Sequence, residues 1–372
     1  MPHISLRPRR AAAVGLALAV ALGLTACAGD TTADTSAPNA PVTEPDLAFV
    51  GPNGEVPAGL DELTLTDEEI AQIKEGGYTA AFVWHTSSEF VSAVEAGATE
   101  QFDELGIEVV ASTQADFDPA AQANNVQNVL ALDPDIVVAI AADATSAAAS
   151  FRPIVDAGKT LVIMTTPPAG YTAGEEFVSI VTESLTDAGR AAAEVLGDEL
   201  GGAGKVGYVY YDADFWFTQQ RDEAFIDWMR YLYPDIEIVA QEGFADESRV
   251  EEVASAMLAR NPELDGVYVS WATAAQGVLS ALRSAGMSDV KLVTNDLDAT
   301  LAADLVAGGN TVGLIGNGSL DIGRGLARSA AYGLLGKAAP QLVASPPVKV
   351  TKANLAEAWL ADYGTDLPAS VK

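Results

Sequence analysis

Proton transfer, nucleophilic attack and metal binding need particular side chains, and this chain holds few of them. Beyond residue 26 it has one histidine, His85, and its only cysteine is Cys27. Two imidazoles cannot then share a zinc ion, and a histidine-based triad has one candidate base. The run Gly201-Gly202-Ala203-Gly204-Lys205 looks at first like a phosphate loop. However, Glu199 stands where the first glycine belongs, and Val206 stands where Ser or Thr must follow the lysine. Gly316-Asn317-Gly318-Ser319 does not fit the Gly-x-Ser-x-Gly elbow. Asp133 and Asp135 flank Pro134 and read as a solvated turn. No spacing suggests a metal site, and no cofactor is expected. The chemistry left to these residues is binding rather than turnover.

The N-terminus sets the compartment. Arg7, Arg9 and Arg10 precede an apolar run at 11–24, which ends in Leu24-Thr25-Ala26-Cys27. A basic start, a short apolar stretch and small residues before a cut site make a secretory signal. The run is shorter than the ~20 residues a bilayer span needs. Leu24-Thr25-Ala26-Cys27 resembles the bacterial lipobox, so residues 1–26 are expected to leave as a signal peptide and Cys27 to carry lipid. The protein is then extracytoplasmic, held to the cell membrane by its N-terminal lipid. Residues 27–60, rich in Ala, Thr, Pro, Asp and Gly, read as a flexible linker. Removing residues 1–26 takes three arginines and no carboxylate, moving the formal charge from −32 to −35. Such a surface repels nucleic acid and anionic membranes, and it weighs against a strongly anionic ligand. One cysteine permits no intramolecular disulfide, so the fold must stand on its core.

The elements that must position any site follow a regular rhythm. Apolar runs at 79–84, 107–111, 136–141 and 160–164 read as strands, with amphipathic segments between them. Phe90, Val94, Ala98, Phe102 and Leu105 recur at near-helical spacing, and further helices fit 119–132 and 146–157. After a passage at 177–181 the alternation restarts. Helices are expected at 185–200, 219–233, 247–261, 273–285, 300–307 and 320–335. Strands are expected at 205–211, 236–240, 266–270, 291–294 and 311–315. The alternation implies α/β architecture: two doubly wound parallel-sheet lobes, with ligands outside the carboxyl ends of the strands.

Several segments together resemble the type I periplasmic binding proteins, in particular the ribose-binding branch of sugar ABC importers. They are Ser87-Ser88-Glu89-Phe90-Val91-Ser92, Ala121-Gln122-Ala123-Asn124-Asn125-Val126-Gln127, Gln220-Arg221-Asp222, Val293-Thr294-Asn295-Asp296, and Asn317 with Asp321-Ile322-Gly323. The resemblance runs from about Tyr78 to the C-terminus. It implies two lobes joined by a three-segment hinge, residues 61–181 plus 318–345 and residues 182–317 plus 346–372. It also implies a small sugar or polyol as ligand, an ABC permease as membrane partner, and a monomer.

The resemblance places ligand contacts one residue at a time. Ser87, Glu89 and Phe90 follow the first strand, where the family sets polar and aromatic contacts; Phe90 also fits a plain core position. Arg221 matches a cleft arginine, with a surface ion pair to Asp222 or Asp214 as the bland reading. Asp296 matches a cleft aspartate or else caps the next helix. Asn317 matches a cleft amide or else serves its turn. Trp84 and His85 share a strand end, and each could equally be structural. Asp143 follows the third strand and could instead cap a helix. Trp216, beside Phe215, could add an aromatic wall. Thr165 and Thr166 stand where the ribose pattern has an Asp-Arg pair, and Trp271 where it has an asparagine. These departures point away from ribose, toward a neutral polyol or a sugar with fewer hydroxyls. A nucleoside receptor of the same fold and a sensory lipoprotein remain alternatives.

Overall fold

The computed structural model describes residues 44–213 and 215–371. The expected signal peptide, Cys27, the linker up to residue 43, and Asp214 lie outside the described residues. Among those described, no helix is long and apolar enough to cross a membrane.

The strands are β1 (Pro57–Gly59), β2 (Thr79–Trp84), β3 (Glu108–Gln114), β4 (Ile136–Ala139), β5 (Thr160–Met164), β6 (Ile180–Glu183), β7 (Ala203–Tyr211), β8 (Asp235–Phe244), β9 (Gly266–Val269), β10 (Lys291–Asn295), β11 (Thr311–Gly316), β12 (Leu342–Ser345) and β13 (Val348–Val350). The helices are α1 (Asp67–Gly76), α2 (Glu89–Glu104), α3 (Pro119–Leu130), α4 (Ala144–Ser150), α5 (Arg152–Asp156), α6 (Leu185–Glu199), α7 (Trp216–Leu232), α8 (Val250–Arg260), α9 (Ala272–Ala285), α10 (Ala299–Ala307), α11 (Ser319–Leu334) and α12 (Leu355–Tyr363).

Two sheets result. The first runs β1-β12-β6-β5-β4-β2-β3, all parallel. The second runs β13-β11-β10-β9-β7-β8 and is parallel except for β13, which pairs antiparallel with β11. The chain passes between the sheets three times: after β6, after β11 and after β12. Strands β2, β4 and β5 are buried almost throughout, as parallel strands covered on both faces must be. Fully buried side chains such as Phe82, Phe102 and Ile136 each contribute about 1.5–3 kcal/mol by leaving water.

Glycine sets two close helix contacts. A side chain on Gly323 would strike the Val94 carbonyl, so α11 lies directly on α2. A side chain on Gly189 would strike the Arg221 carbonyl, so α6 holds α7 close.

The structure corrects two of the expectations above. The linker does not extend to residue 60: Pro57–Gly59 pairs with Leu342, Val343 and Ala344 at the sheet edge, and Phe49 is buried against Trp216. A three-residue edge strand is held by backbone hydrogen bonds and leaves no side-chain pattern to read. The helix expected at 146–157 is two helices, because Pro153 cannot donate to the preceding turn and α5 starts afresh around it.

Candidate functional site

One cavity lies between the carboxyl ends of the two sheets. From the first sheet come His85, Ser87 and Phe90 after β2, Phe117 after β3, Ile140 after β4 and Thr165 after β5. From the second come Phe215, Phe217, Thr218 and Arg221 after β7, Glu247 after β8, Trp271 and Thr273 after β9, and Asp296 after β10. The cavity volume is about 60 Å³, which limits the site to a small solute.

Motif residues hold the loops that carry these side chains. Gln122 donates to the Ile140 carbonyl (2.7 Å) and accepts from the Ala142 N–H (2.8 Å), which fixes the turn after β4. Asn125 donates to the Gln114 carbonyl (2.7 Å) and pins the turn that presents Phe117. Asn295 donates to the Tyr268 hydroxyl (2.8 Å) and to the Ser270 carbonyl (3.2 Å). Three cavity residues that are not glycine take left-handed backbone: Phe117 (φ 59°), Thr165 (φ 61°) and Asp296 (φ 68°). For β-branched Thr165 this is a costly conformation, and such strain collects at binding sites.

The polar floor centres on Arg221. It is fully buried, and its Nη1 donates to Glu183 Oε1 at 2.7 Å while Nη2 donates to the Ser270 carbonyl. Glu183, at the end of β6, is therefore its partner, and neither Asp222 nor a surface pair is. Asp222 instead accepts from the Tyr268 hydroxyl (2.7 Å) and the Ser270 hydroxyl (2.5 Å) behind the floor. Burial raises the Glu183 carboxyl to about 7, against the smaller downward pull of the Arg221 guanidinium. Asp296 does not cap the next helix; Asp298 does, accepting from Thr300 and Leu301 N–H. Burial raises the Asp296 carboxyl against the pull of Arg221 and of the Asn317 amide, which donates to it at 2.6 Å.

Aromatic rings make the walls. Phe117 meets His85 edge-on (4.8 Å, 89°) and lies near-parallel to Trp271 (6.4 Å, 26°). Phe215 stacks on His85 at 6.0 Å and also meets Phe117 edge-on at 6.5 Å, so the three rings form one cluster. Among these rings the imidazole loses its hydration, and burial pushes its pKa down to about 3, so His85 is neutral at pH 7. The His85 Nδ1 and Thr165 Oγ1 atoms are buried and have no hydrogen-bond partner among the described residues.

Five side chains expected at the site lie outside this cavity lining. Trp84 is turned to the helix side of its sheet, where its indole donates to Glu95 (2.6 Å) and stacks on Phe82. Trp216 starts α7 and packs on Phe49, leaving the wall to Phe215 and Phe217. Asp143 caps α4 by accepting from the Ser146 N–H. Glu89 sits at the rim and accepts from the Ala299 N–H (3.2 Å), joining α2 to α10. Asn317 lies one layer beneath, bonded to Asp296. Sequence reasoning missed Phe117, Phe217, Glu247 and Glu183. Phe117 and Glu247 could have been found by asking which aromatic or charged residue follows each strand.

A periplasmic binding protein domain matches over residues 67–338. A putative rhizopine-binding protein from Rhizobium meliloti is 27% identical over 254 residues, 64% of this chain and 79% of that protein. An ABC transporter solute-binding protein from Agrobacterium vitis, bound with α-D-tagatopyranose, superposes with a TM-score of 0.70 at 23% identity, covering 77% of this chain and 98% of that one. A carbohydrate transporter solute-binding protein from Agrobacterium radiobacter, in complex with D-arabinose, gives a TM-score of 0.67 at 22% identity, covering 75% and 96%.

Proposed function

The chain belongs to the periplasmic binding protein domain family, whose members are extracytoplasmic solute binders and not enzymes, and we propose that it captures a small sugar or polyol between its lobes. As proposed, it is a monomeric lipoprotein anchored through Cys27, and it hands its ligand to an ABC permease in the membrane. The observation that carries the reading is the cavity between the strand ends of both sheets, with Arg221 and Asp296 in its floor and aromatic rings on its walls. A guanidinium fork and a carboxylate suit adjacent hydroxyls, and ring faces suit the C–H side of a sugar. Closure is proposed as a hinge motion about the connections after β6, β11 and β12.

A nucleoside ligand is the second reading, favoured by the near-parallel rings of Phe117 and Trp271. Melting-temperature shifts across pentoses, hexoses, polyols and nucleosides test both. A ligand at a hundredfold its dissociation constant adds about 2.7 kcal/mol of stability, readily visible in melting. Ribose is expected to give less than the best compound. The sugar and polyol reading fails if only nucleosides shift the transition. Loss of solute uptake on deletion separates transport from sensing.

A further inference from the structure

Charge accounting around the cavity extends that reading and rests on it. Arg221 is the one cation lining the cavity among the described residues, and its charge is met by Glu183 at 2.7 Å. Asp296 and Glu247 line the same space from two different strand ends. Neither forms an ion pair within 4 Å among the described residues. Their hydrogen bonds come from uncharged donors, the Asn317 amide to Asp296 and the Trp271 indole to Glu247. His85 is neutral, as burial keeps its proton off. The site holds one cation and three carboxyls, Glu183, Asp296 and Glu247, and burial raises all three, Glu183 to about 7.

A ligand carrying only hydroxyls would leave two carboxylates on one narrow space without a cation between them, which is costly in partly dehydrated surroundings. A protonated amine would meet both. Thr165, 2% exposed, lines the same space with its hydroxyl unpartnered among the described residues, so a polar ligand group belongs there.

We infer that the solute is an amino sugar or amino polyol, its ammonium set against Asp296 and Glu247 and its hydroxyls against Thr165 and Arg221. This keeps the proposed skeleton and replaces the neutral ligand expected from the sequence with a singly cationic one.

Titration calorimetry at pH 7 on matched pairs tests it: D-glucosamine against D-glucose, D-galactosamine against D-galactose, and a monoamino-inositol against myo-inositol. In at least one pair the amine should bind about tenfold tighter or more, as one charge-assisted hydrogen bond allows. Glu247→Gln keeps the side-chain shape and should bring the two members of that pair within about threefold. Asp296→Asn gives the same test should the first variant lose its ligand-free melting transition. Equal or weaker binding of every amine overturns the inference and leaves the polyol reading standing. An amine preference that survives both substitutions overturns it as well. Failure of every compound to bind overturns the inference and the polyol reading together.

Discussion

His85 offers a sharp test of how dry the cavity wall is. Its imidazole packs against Phe117 and Phe215, and burial lowers its pKa from 6.5 to about 3. The unfolded chain therefore takes a proton at a higher pH than the folded one. Stability from the neutral imidazole is fully present above about pH 6.5 and is lost as pH falls toward 3. At pH 4 the two pKa values give a loss of about 3 kcal/mol from this one group. Carboxyls raised by burial, such as Asp296 and Asp362, shift stability the other way with pH. They are common to wild type and variant, so they cancel in the difference. His85→Gln keeps a neutral polar side chain with nothing to titrate. Urea unfolding of the ligand-free protein at pH 7 and pH 4 should show the variant gaining about 3 kcal/mol on the wild type over that interval. Parallel pH–stability curves would refute the argument, because they would mean the imidazole keeps its water in the folded protein.

Three further outcomes are expected. Arg221→Ala removes the partner of a buried carboxylate and a cavity donor, so it should weaken ligand binding by about tenfold or more and destabilise the protein by about 3–5 kcal/mol; unchanged affinity by calorimetry removes Arg221 from the site. Cys27→Ser should move the protein from the detergent phase to the aqueous phase in partition experiments; unaltered partitioning rules out the lipid anchor. Trp271 lies in the cavity wall against Phe117 of the facing lobe, so the cognate ligand should change tryptophan emission saturably and reduce the radius of gyration in scattering; saturation with no change in radius would count against closure.

The parts of the fold that were legible were those written locally. The strand expected at 160–164 coincides with β5, and Gly286 ends α9 in the left-handed conformation that favours glycine. The site was less legible because a strand end alone does not say which way a side chain points. Trp84 and His85 are neighbours, so the pleat sends them to opposite sides of the sheet. His85 reaches the cavity, while Trp84 is turned to Glu95 on α2. Phe215, Trp216 and Phe217 also divide as the chain turns into α7, with only the outer two on the wall. Glu183 carried a signal, an acid closing an apolar strand, but its pairing with Arg221 depends on the chain crossing between sheets between those positions.

The residues that carried the family resemblance have two different jobs, and this limits what a motif can say about the ligand. Gln122, Asn125 and Asn295 bond to backbone carbonyls or to other framework groups, and Gly323 lets two helices touch. In this chain these bonds hold turns, and they say nothing of the ligand. Arg221 and Asp296 face the cavity, but they are only part of its polar inventory. Other lining residues come from positions outside the quoted segments, among them Phe117, Thr165, Glu247 and Trp271, one after each of β3, β5, β8 and β9. On the proposed reading, selectivity would then reside in the strand-end residues beside the motifs, and Glu247 is the one ionisable group among these four.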